Sequence, residues 1–510
     1  MENFWDYSVW GSLNIIAMLL LSLLAGNIIK KAVPILKASL IPTAVIGGCI
    51  ILVIEGVFKA ITGEAMFESA FFGSNGHATL EIITYHTLAL GFIASALKES
   101  GGKLTKERSI EIFNTGVTTV ATYLMQAVLG FGITMIACLV MENFFPAAGV
   151  LLPFGYGQGT GQALNYGNIY ETEFGFAGGK SFGLTVAAMG FISASLGGVI
   201  RLAYLKKKKR VKINAGNMRF QAEEVEASDE IPMTESVDKL TIQVALVIAA
   251  YFITFGIMNL LGSLLPGMKS VIFGFNFIIG VLSATLIKTV LKFLRQKGFT
   301  KHRYTNGFLL TRTSNFFFDI MVVAGIAAIR LSILEQYWGI LLILGVLGLF
   351  ATFWYNYYVA KKLFPAYREE QFLAMYGMLT GTASTGIMLL REIDPDFKTP
   401  VADNLVYQNF PAIVFGFPMM LLATLAPRKP GLTMVILVIF CLAMNVILFR
   451  SLLFKRSKKY SIHKEIKIDE AIRVGNCFSA NGRLFSNAKR REYTCFIYWW
   501  QKMIKILACC

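Results

Sequence analysis

The chain is strongly apolar and basic: of its 510 residues, 55% are hydrophobic and 15% are charged, and the formal net charge is +17. Its apolar residues come in runs of about 20, the length that a helix needs to cross the hydrocarbon core of a bilayer, which excludes an ordinary soluble protein. The runs are apolar on all sides, which fits spanning helices better than an outer-membrane barrel. Short basic clusters between the runs follow the positive-inside rule, so no nucleic-acid partner is expected.

The apolar runs predict eleven transmembrane helices. The first is expected to be a retained helix and not a signal peptide, because Glu2 and Asp6 precede it in place of a basic region. Two apolar, glycine-rich stretches, 148–167 and 372–390, remain between the spans. The predicted spans are 9–29, 40–58, 80–97, 113–141, 181–204, 240–265, 271–291, 315–333, 337–360, 401–425 and 431–453.

Basic clusters predict the orientation in the membrane. They follow the odd-numbered spans, whereas most other connections carry one basic residue or none, with Arg428 and Lys429 the chief exception. We therefore expect a multi-pass protein of the cytoplasmic (inner) membrane with its N-terminus outside and its C-terminus inside. The clusters are Lys30, Lys31 and Lys37; Lys103, Lys106 and Arg108; Lys206 to Arg210; Lys297, Lys301 and Arg303; Lys361 and Lys362; and Lys455, Arg456, Lys458 and Lys459.

A polar segment at 206–238 turns from basic to acidic and is predicted to be a cytoplasmic linker. It separates an N-terminal membrane repeat, 1–205, from a C-terminal repeat, 239–425, each with five spans. Because five is odd, the second repeat enters the membrane from the opposite side. The predicted fold is all-α and polytopic: two inverted five-helix repeats, each with a re-entrant glycine-rich loop, plus one extra C-terminal transmembrane helix at 426–454 and a basic cytoplasmic tail at 455–510.

The first glycine-rich stretch carries glycine at alternate positions from 155 to 161, and each would cost a helix interior about 1 kcal/mol. Open backbone at membrane depth survives only against protein or a water-filled cavity, which favours a re-entrant binding loop. Freed N–H groups there suit a carboxylate, and carbonyl groups suit sodium. Close helix packing through small residues is the alternative explanation of the glycines. Because polar side chains accompany them, the predicted substrate-binding residues are Gln158, Gly159, Thr160, Gly161 and Gln162.

The second stretch occupies the matching place between the ninth and tenth spans and approaches from inside, whereas the first approaches from outside. Two broken segments at corresponding places in inverted halves indicate a transporter's midplane site. Arg391 ends this stretch and either pairs with a substrate carboxylate or extends to the membrane surface. The predicted substrate-binding residues are Thr380, Gly381, Thr382, Ser384, Thr385 and Arg391.

Two ionisable residues lie at equivalent places inside spans. His86 precedes an Ile-Ala-Ser sequence in the third span by the same offset at which Asp319 precedes Ile-Ala-Ala in the eighth. An ionisable group inside a span is expensive, so both are candidates for ion coupling, although a lone histidine is more often a packing residue. Glu55 is expected to be solvated at a span end. The sodium candidates are Gly157, Thr160, Thr382 and Asp319.

Several motifs in order resemble the sodium/glutamate symporter family over roughly residues 10–425; they are Ile41-Pro42, Val45-Ile46-Gly47-Gly48, Gly157 to Gly161, Gly381 and Thr385. The resemblance implies two inverted five-helix halves with paired re-entrant loops, a homodimer, and sodium-driven uptake of glutamate. The chain departs from the family pattern at Gln158, where the family has histidine, and in the sparser glycines of its second stretch. Asp319 and the eleventh span are also atypical. These departures bear on the substrate and the coupling ion more than on the fold.

Other functions are weighed on the same residues. A proton-coupled carrier or a channel for another small organic anion would use Asp319 and His86 for protons. An enzyme is disfavoured, because the sequence has no metalloprotease motif, no P-loop and no nucleophile with a clear base. No cofactor other than a coupling sodium ion is expected, and the partners are a small anionic substrate and the lipid bilayer. The seven scattered cysteines indicate neither a zinc site nor a disulfide framework.

Overall fold

The computed structural model describes residues 3–98, 106–142, 144–207, 238–299, 302–394 and 398–453. Nearly all of the predicted linker and the whole of the predicted tail lie outside these ranges. In the described part, the regular elements are α-helices and short 3₁₀ helices, in agreement with the predicted helical fold.

The described residues of the first half form seven α-helices. The glycine-rich stretch at 148–167 becomes helical over most of its length, with a break at Gly159. The helices are α1 (Tyr7–Ala32), α2 (Pro34–Ala38), α3 (Thr43–Thr62), α4 (Gly76–Leu97), α5 (Lys106–Ala137), α6 (Leu151–Phe174) and α7 (Gly179–Lys207).

The second half contains eleven α-helices within its described residues, several of them short. They are α8 (Lys239–Leu264), α9 (Lys269–Gly274), α10 (Asn276–Gln296), α11 (Gly307–Ala327), α12 (Trp338–Leu363), α13 (Arg368–Thr380), α14 (Ala383–Arg391), α15 (Val401–Tyr407), α16 (Asn409–Leu425), α17 (Pro430–Leu448) and α18 (Arg450–Leu453).

Ten helices of the described part are long and apolar enough to cross a membrane, and the pair α15 and α16, bent by 50°, makes an eleventh if it is counted as one span. The predicted number of eleven spans is reached only if the bent pair is counted as one span. Pro411 lies just after the bend and has no N–H group with which to continue the helical hydrogen bonds of α15.

The eighth span begins earlier than predicted, at Gly307 instead of 315. The Asn306 side chain accepts a hydrogen bond of 2.7 Å from the Leu309 amide and so caps the helix at its start. Polar residues at 311–315 hid this first part of the helix from a prediction based on apolar runs.

Glu55 is paired with a histidine, contrary to the expectation that it is simply solvated. Its Oε1 lies 2.7 Å from Nε2 of His77, which is almost fully buried at the start of α4. The segment between α3 and α4 folds back over this pair, and the buried Phe67 ring packs edge-on against the His77 ring. Contacts between two helices and their connection therefore enclose a carboxylate that the sequence places near the end of a span.

Ion pairs attach both glycine-rich segments to the ends of α7. Near the start of α7, Lys180 Nζ lies 3.6 Å from Glu171 of α6 and 2.8 Å from Glu81 of α4. Near its end, the Arg201 guanidinium binds both carboxylate oxygens of Glu369 in α13 at 2.7–2.9 Å. Helix α7 thus holds α6 at one end and α13 at the other.

Candidate functional site

Helix α6 is broken at Gly159. This residue has φ 80° and ψ −172°, a conformation that is essentially restricted to glycine. The break leaves a first half-helix, 151–158, whose carbonyl end meets the break, and a second, 160–174, whose amino end meets it. The prediction of open backbone was correct at this one residue, while the neighbouring glycines remain helical.

A second break separates α13 from α14. Helix α13 ends at Thr380, and Gly381 and Thr382 are non-helical. The Thr382 hydroxyl accepts a hydrogen bond of 3.4 Å from the Thr385 amide, so this threonine is the N-cap of α14. As in α6, a carbonyl end and an amino end face each other across the gap.

The two breaks meet in space. A methyl group built on Gly159 would lie 3.6 Å from Thr382 Cγ2, 3.9 Å from the Gly381 carbonyl oxygen and 3.8 Å from Met321 Cε of α11. Next to the break, the Thr160 hydroxyl donates to the Met321 carbonyl at 3.2 Å. We call the meeting point of Gly159, Gly381 and Thr382 the crossing.

Ser193 of α7 anchors the first halves of both broken segments. Tyr156, three residues before Gly159, has its hydroxyl 2.9 Å from the Ser193 hydroxyl, and Tyr376 donates to the Ser193 carbonyl at 2.8 Å. Sequence reasoning missed this serine and both tyrosines. The tyrosines could have been identified because each places a hydroxyl group within an apolar, glycine-rich stretch, and a buried hydroxyl needs a hydrogen-bond partner.

Two glutamine side chains near the first break have unsatisfied polar atoms. Gln162 is only 1% exposed, and neither its Oε1 nor its Nε2 has a hydrogen-bond partner in the described part of the protein. The same is true of the Nε2 of Gln158. Because an unpaired buried amide costs about 1–3 kcal/mol, these atoms indicate a polar ligand or water.

The predicted residues of the second stretch differ in exposure. Thr380 and Thr385 are buried, Thr382 is half-buried, and Ser384 and Arg391 are exposed. Arg391 is close enough to Arg312 of α11 for Coulombic repulsion between the two guanidinium groups. Two arginines therefore lie near each other on α11 and at the end of α14.

Asp319 lies on α11, two residues before Met321, and so is at nearly the same height as the crossing. Its side chain is exposed, as are those of Asn315 and Arg312, which precede it at helical spacing on one face. No hydrogen bond or ion pair to Asp319 occurs among the described residues.

His86 is in a different environment. Its Nδ1 lies 2.6 Å from the Tyr251 hydroxyl of α8, and it borders a largely apolar cavity of about 430 Å³. The lining consists of aromatic and aliphatic side chains from α4, α8 and α9: Tyr85, His86, Ile248, Tyr251, Phe252, Phe255, Met258 and Phe273. Among the described residues, His86 therefore bonds to α8 and does not reach the crossing.

The structure brings together the backbone at Gly159, Gly381 and Thr382, with Thr160 beside them. Gly161 packs against Leu88 of α4, where an added Cβ would lie 2.7 Å from Leu88 Cδ1. Gly157 faces α5, where its carbonyl oxygen accepts a hydrogen bond of 3.0 Å from Tyr123. Of the four sodium candidates, Thr160 and Thr382 therefore lie at the crossing, and the Gly157 carbonyl is bound by α5.

The family model of the sodium/glutamate symporters matches residues 10–360. This range includes α6 and Asp319 but ends before α13, so it is shorter than the resemblance predicted from motifs. No curated protein matches the chain.

Proposed function

Because the chain belongs to the sodium/glutamate symporter family, we propose that it is a secondary active transporter that carries glutamate, or a related carboxylate or amino acid, in symport with sodium. Transport proceeds by alternating access across the cytoplasmic membrane. The observation that carries this proposal is the crossing, where two broken helices bring their amino and carbonyl ends together between packed spans.

The chemistry of the crossing suits a substrate that carries a carboxylate. The amino ends of the half-helix 160–174 and of α14 carry partial positive charge, which stabilises an anion. Gln158 and Gln162 add unsatisfied amide atoms nearby, and Arg391 adds a guanidinium group on the exposed side of α14. The carbonyl ends of the other half-helices suit sodium, and the Asp319 carboxylate attracts a cation from the exposed face of α11.

The packing of the spans supports two inverted repeats with α6 and the α13–α14 pair as their re-entrant segments. Under such symmetry, contacts of α3 with α11 should be matched by contacts of α10 with α4, and both pairs are packed together. Contacts of α5 with α16 should likewise be matched by those of α12 with α7, and these pairs also pack. The proposed domain boundaries remain 1–205, 206–238, 239–425, 426–454 and 455–510.

The proposal includes an N-terminus outside the cell, a cytoplasmic C-terminus and a homodimer. The basic clusters at the ends of odd-numbered spans support the orientation. The homodimer follows from the family resemblance and is tested by the mass of the protein–detergent complex.

Uptake into proteoliposomes tests the function. We expect an inward sodium gradient to drive accumulation of labelled glutamate or a close relative from a panel of dicarboxylates and amino acids, and a proton gradient alone to fail. Accumulation driven only by protons would favour a proton-coupled carrier. Absence of counterflow, in which unlabelled substrate drives labelled substrate against its gradient, would favour a channel.

A further inference from the structure

Helix α5 contacts the carbonyl ends of both broken helices. The Tyr123 hydroxyl donates to the Gly157 carbonyl at 3.0 Å, and Gln126 Nε2 donates to the Leu379 carbonyl at 2.9 Å. Tyr123 and Gln126 are three residues apart and thus lie on one face of α5. The carbonyl ends of the half-helix 151–158 and of α13 therefore point to the same face of a third helix.

Gln126 is the centre of this arrangement. Its Nε2 also donates to the Thr352 hydroxyl of α12 at 2.9 Å, and both side chains are fully buried. The Oε1 of the same carboxamide is buried and has no hydrogen-bond partner in the described part of the chain. We call the Gln126 carboxamide, the Thr352 hydroxyl and the Leu379 carbonyl the oxygen cluster.

The carboxamide can present either of its ends to the cluster. A half-turn about the Cγ–Cδ bond exchanges Nε2 and Oε1, and the side chain keeps almost the same shape. In the orientation observed, the nitrogen satisfies the Leu379 carbonyl and the Thr352 hydroxyl. In the other orientation, Oε1 can accept a hydrogen bond from the Thr352 hydroxyl, but it faces the Leu379 carbonyl oxygen with no proton between them, and a bound cation satisfies this pair.

We propose that the oxygen cluster is a sodium site at the carbonyl end of α13, formed when the Gln126 carboxamide turns its oxygen inward. The negative end of the α13 helix dipole and the uncharged oxygen ligands suit a monovalent cation in a buried place. This site rests on the proposed sodium coupling and assigns residues to it. It is separate from Asp319, which projects from the exposed face of α11.

Sodium-dependent thermal stabilisation of the purified full-length protein tests the site without transport. Melting temperatures are measured over a sodium chloride titration, with choline chloride keeping the ionic strength constant. An Asp319→Asn background removes any contribution from sodium at that carboxylate. In that background, we expect Gln126→Leu and Thr352→Val each to raise the sodium concentration at half-maximal stabilisation by about 10- to 100-fold, the loss of one ligand to a charged group.

Thr122→Val is the matched control, because Thr122 is also buried on α5 but its hydroxyl bonds to the Thr118 carbonyl of the same helix. It should keep the sodium response of the background. If Gln126→Leu does not fold, Thr352→Val decides alone. Unchanged sodium response in the folded variants would show that water occupies the cluster and would overturn the inference while leaving sodium coupling intact. If the unsubstituted protein showed no stabilisation by sodium, both this site and the proposed sodium coupling would be contradicted.

Discussion

At the scale of single residues, Asp319 and Glu55 show how differently two carboxylates in spans can be placed. Glu55 is paired with the buried His77 at 2.7 Å, whereas Asp319 is exposed and has no ion pair among the described residues. Removing the charge of Glu55 takes a partner from a buried group, which destabilises the fold. Removing the charge of Asp319 leaves no described partner behind, so its effect should be on function.

We expect Asp319→Asn to fold normally and to weaken the dependence of transport on the coupling cation, because it keeps the shape of the side chain and removes its charge. Uptake measured over separate sodium and pH titrations checks this, with a thermal melt as the folding control. Glu55→Gln serves as the contrasting variant and should lower the melting temperature. A folded Asp319→Asn protein with unchanged sodium and pH dependence would rule out a coupling role.

At the scale of elements, the broken helix α6 depends on one glycine for its conformation and on its neighbours for packing. A methyl group added to Gly159 would have nothing closer than 3.6 Å, but the positive φ of this residue excludes side chains. Gly161 instead has an ordinary helical conformation and close contact with Leu88. Both explanations that the sequence left open therefore apply within this stretch: Gly159 provides an open backbone, and Gly161 allows close packing.

We expect Gly159→Ala to reduce transport by about tenfold or more, because a non-glycine residue in this conformation costs about 1–3 kcal/mol and the break would relax. Expression and monodispersity should be kept. Gly256→Ala in α8 is the matched control: an added Cβ there meets nothing within 4 Å and φ is not positive, so transport should be unchanged. Wild-type transport by Gly159→Ala would show that the break is not needed for function.

At the scale of the whole molecule, the two halves pack against each other along many helices, and α7 and α11 link them next to the candidate site. Helix α7 of the first half contacts α6 of the same half through Lys180 and α13 of the second half through Arg201. Helix α11 of the second half meets α6 of the first half at Thr160 and packs along α4. Residues of both halves therefore contribute to the candidate site.

The orientation of the whole chain is tested by labelling with an impermeant thiol reagent, in a background without the native cysteines. A cysteine at Asn214, in the linker outside the described residues, should react only after the cells are opened, because the surrounding basic cluster marks the cytoplasmic side. A cysteine at the exposed Glu142, in a connection expected outside, is the control and should react in intact cells. Reaction at Asn214 in intact cells would reverse the orientation.

The sequence by itself determined the membrane class, the number of spans to within one and the place of the two breaks, because the length of apolar runs and the glycines within them act locally on the backbone. It also indicated the family, through short motifs in order. Only the tertiary structure decided that Gly159 and Gly381 meet, that Glu55 is paired with His77, and that Gln126 reaches the Leu379 carbonyl, 253 residues away along the chain. Such contacts depend on how whole helices pack, and the pattern along any one helix does not specify which partner it will face.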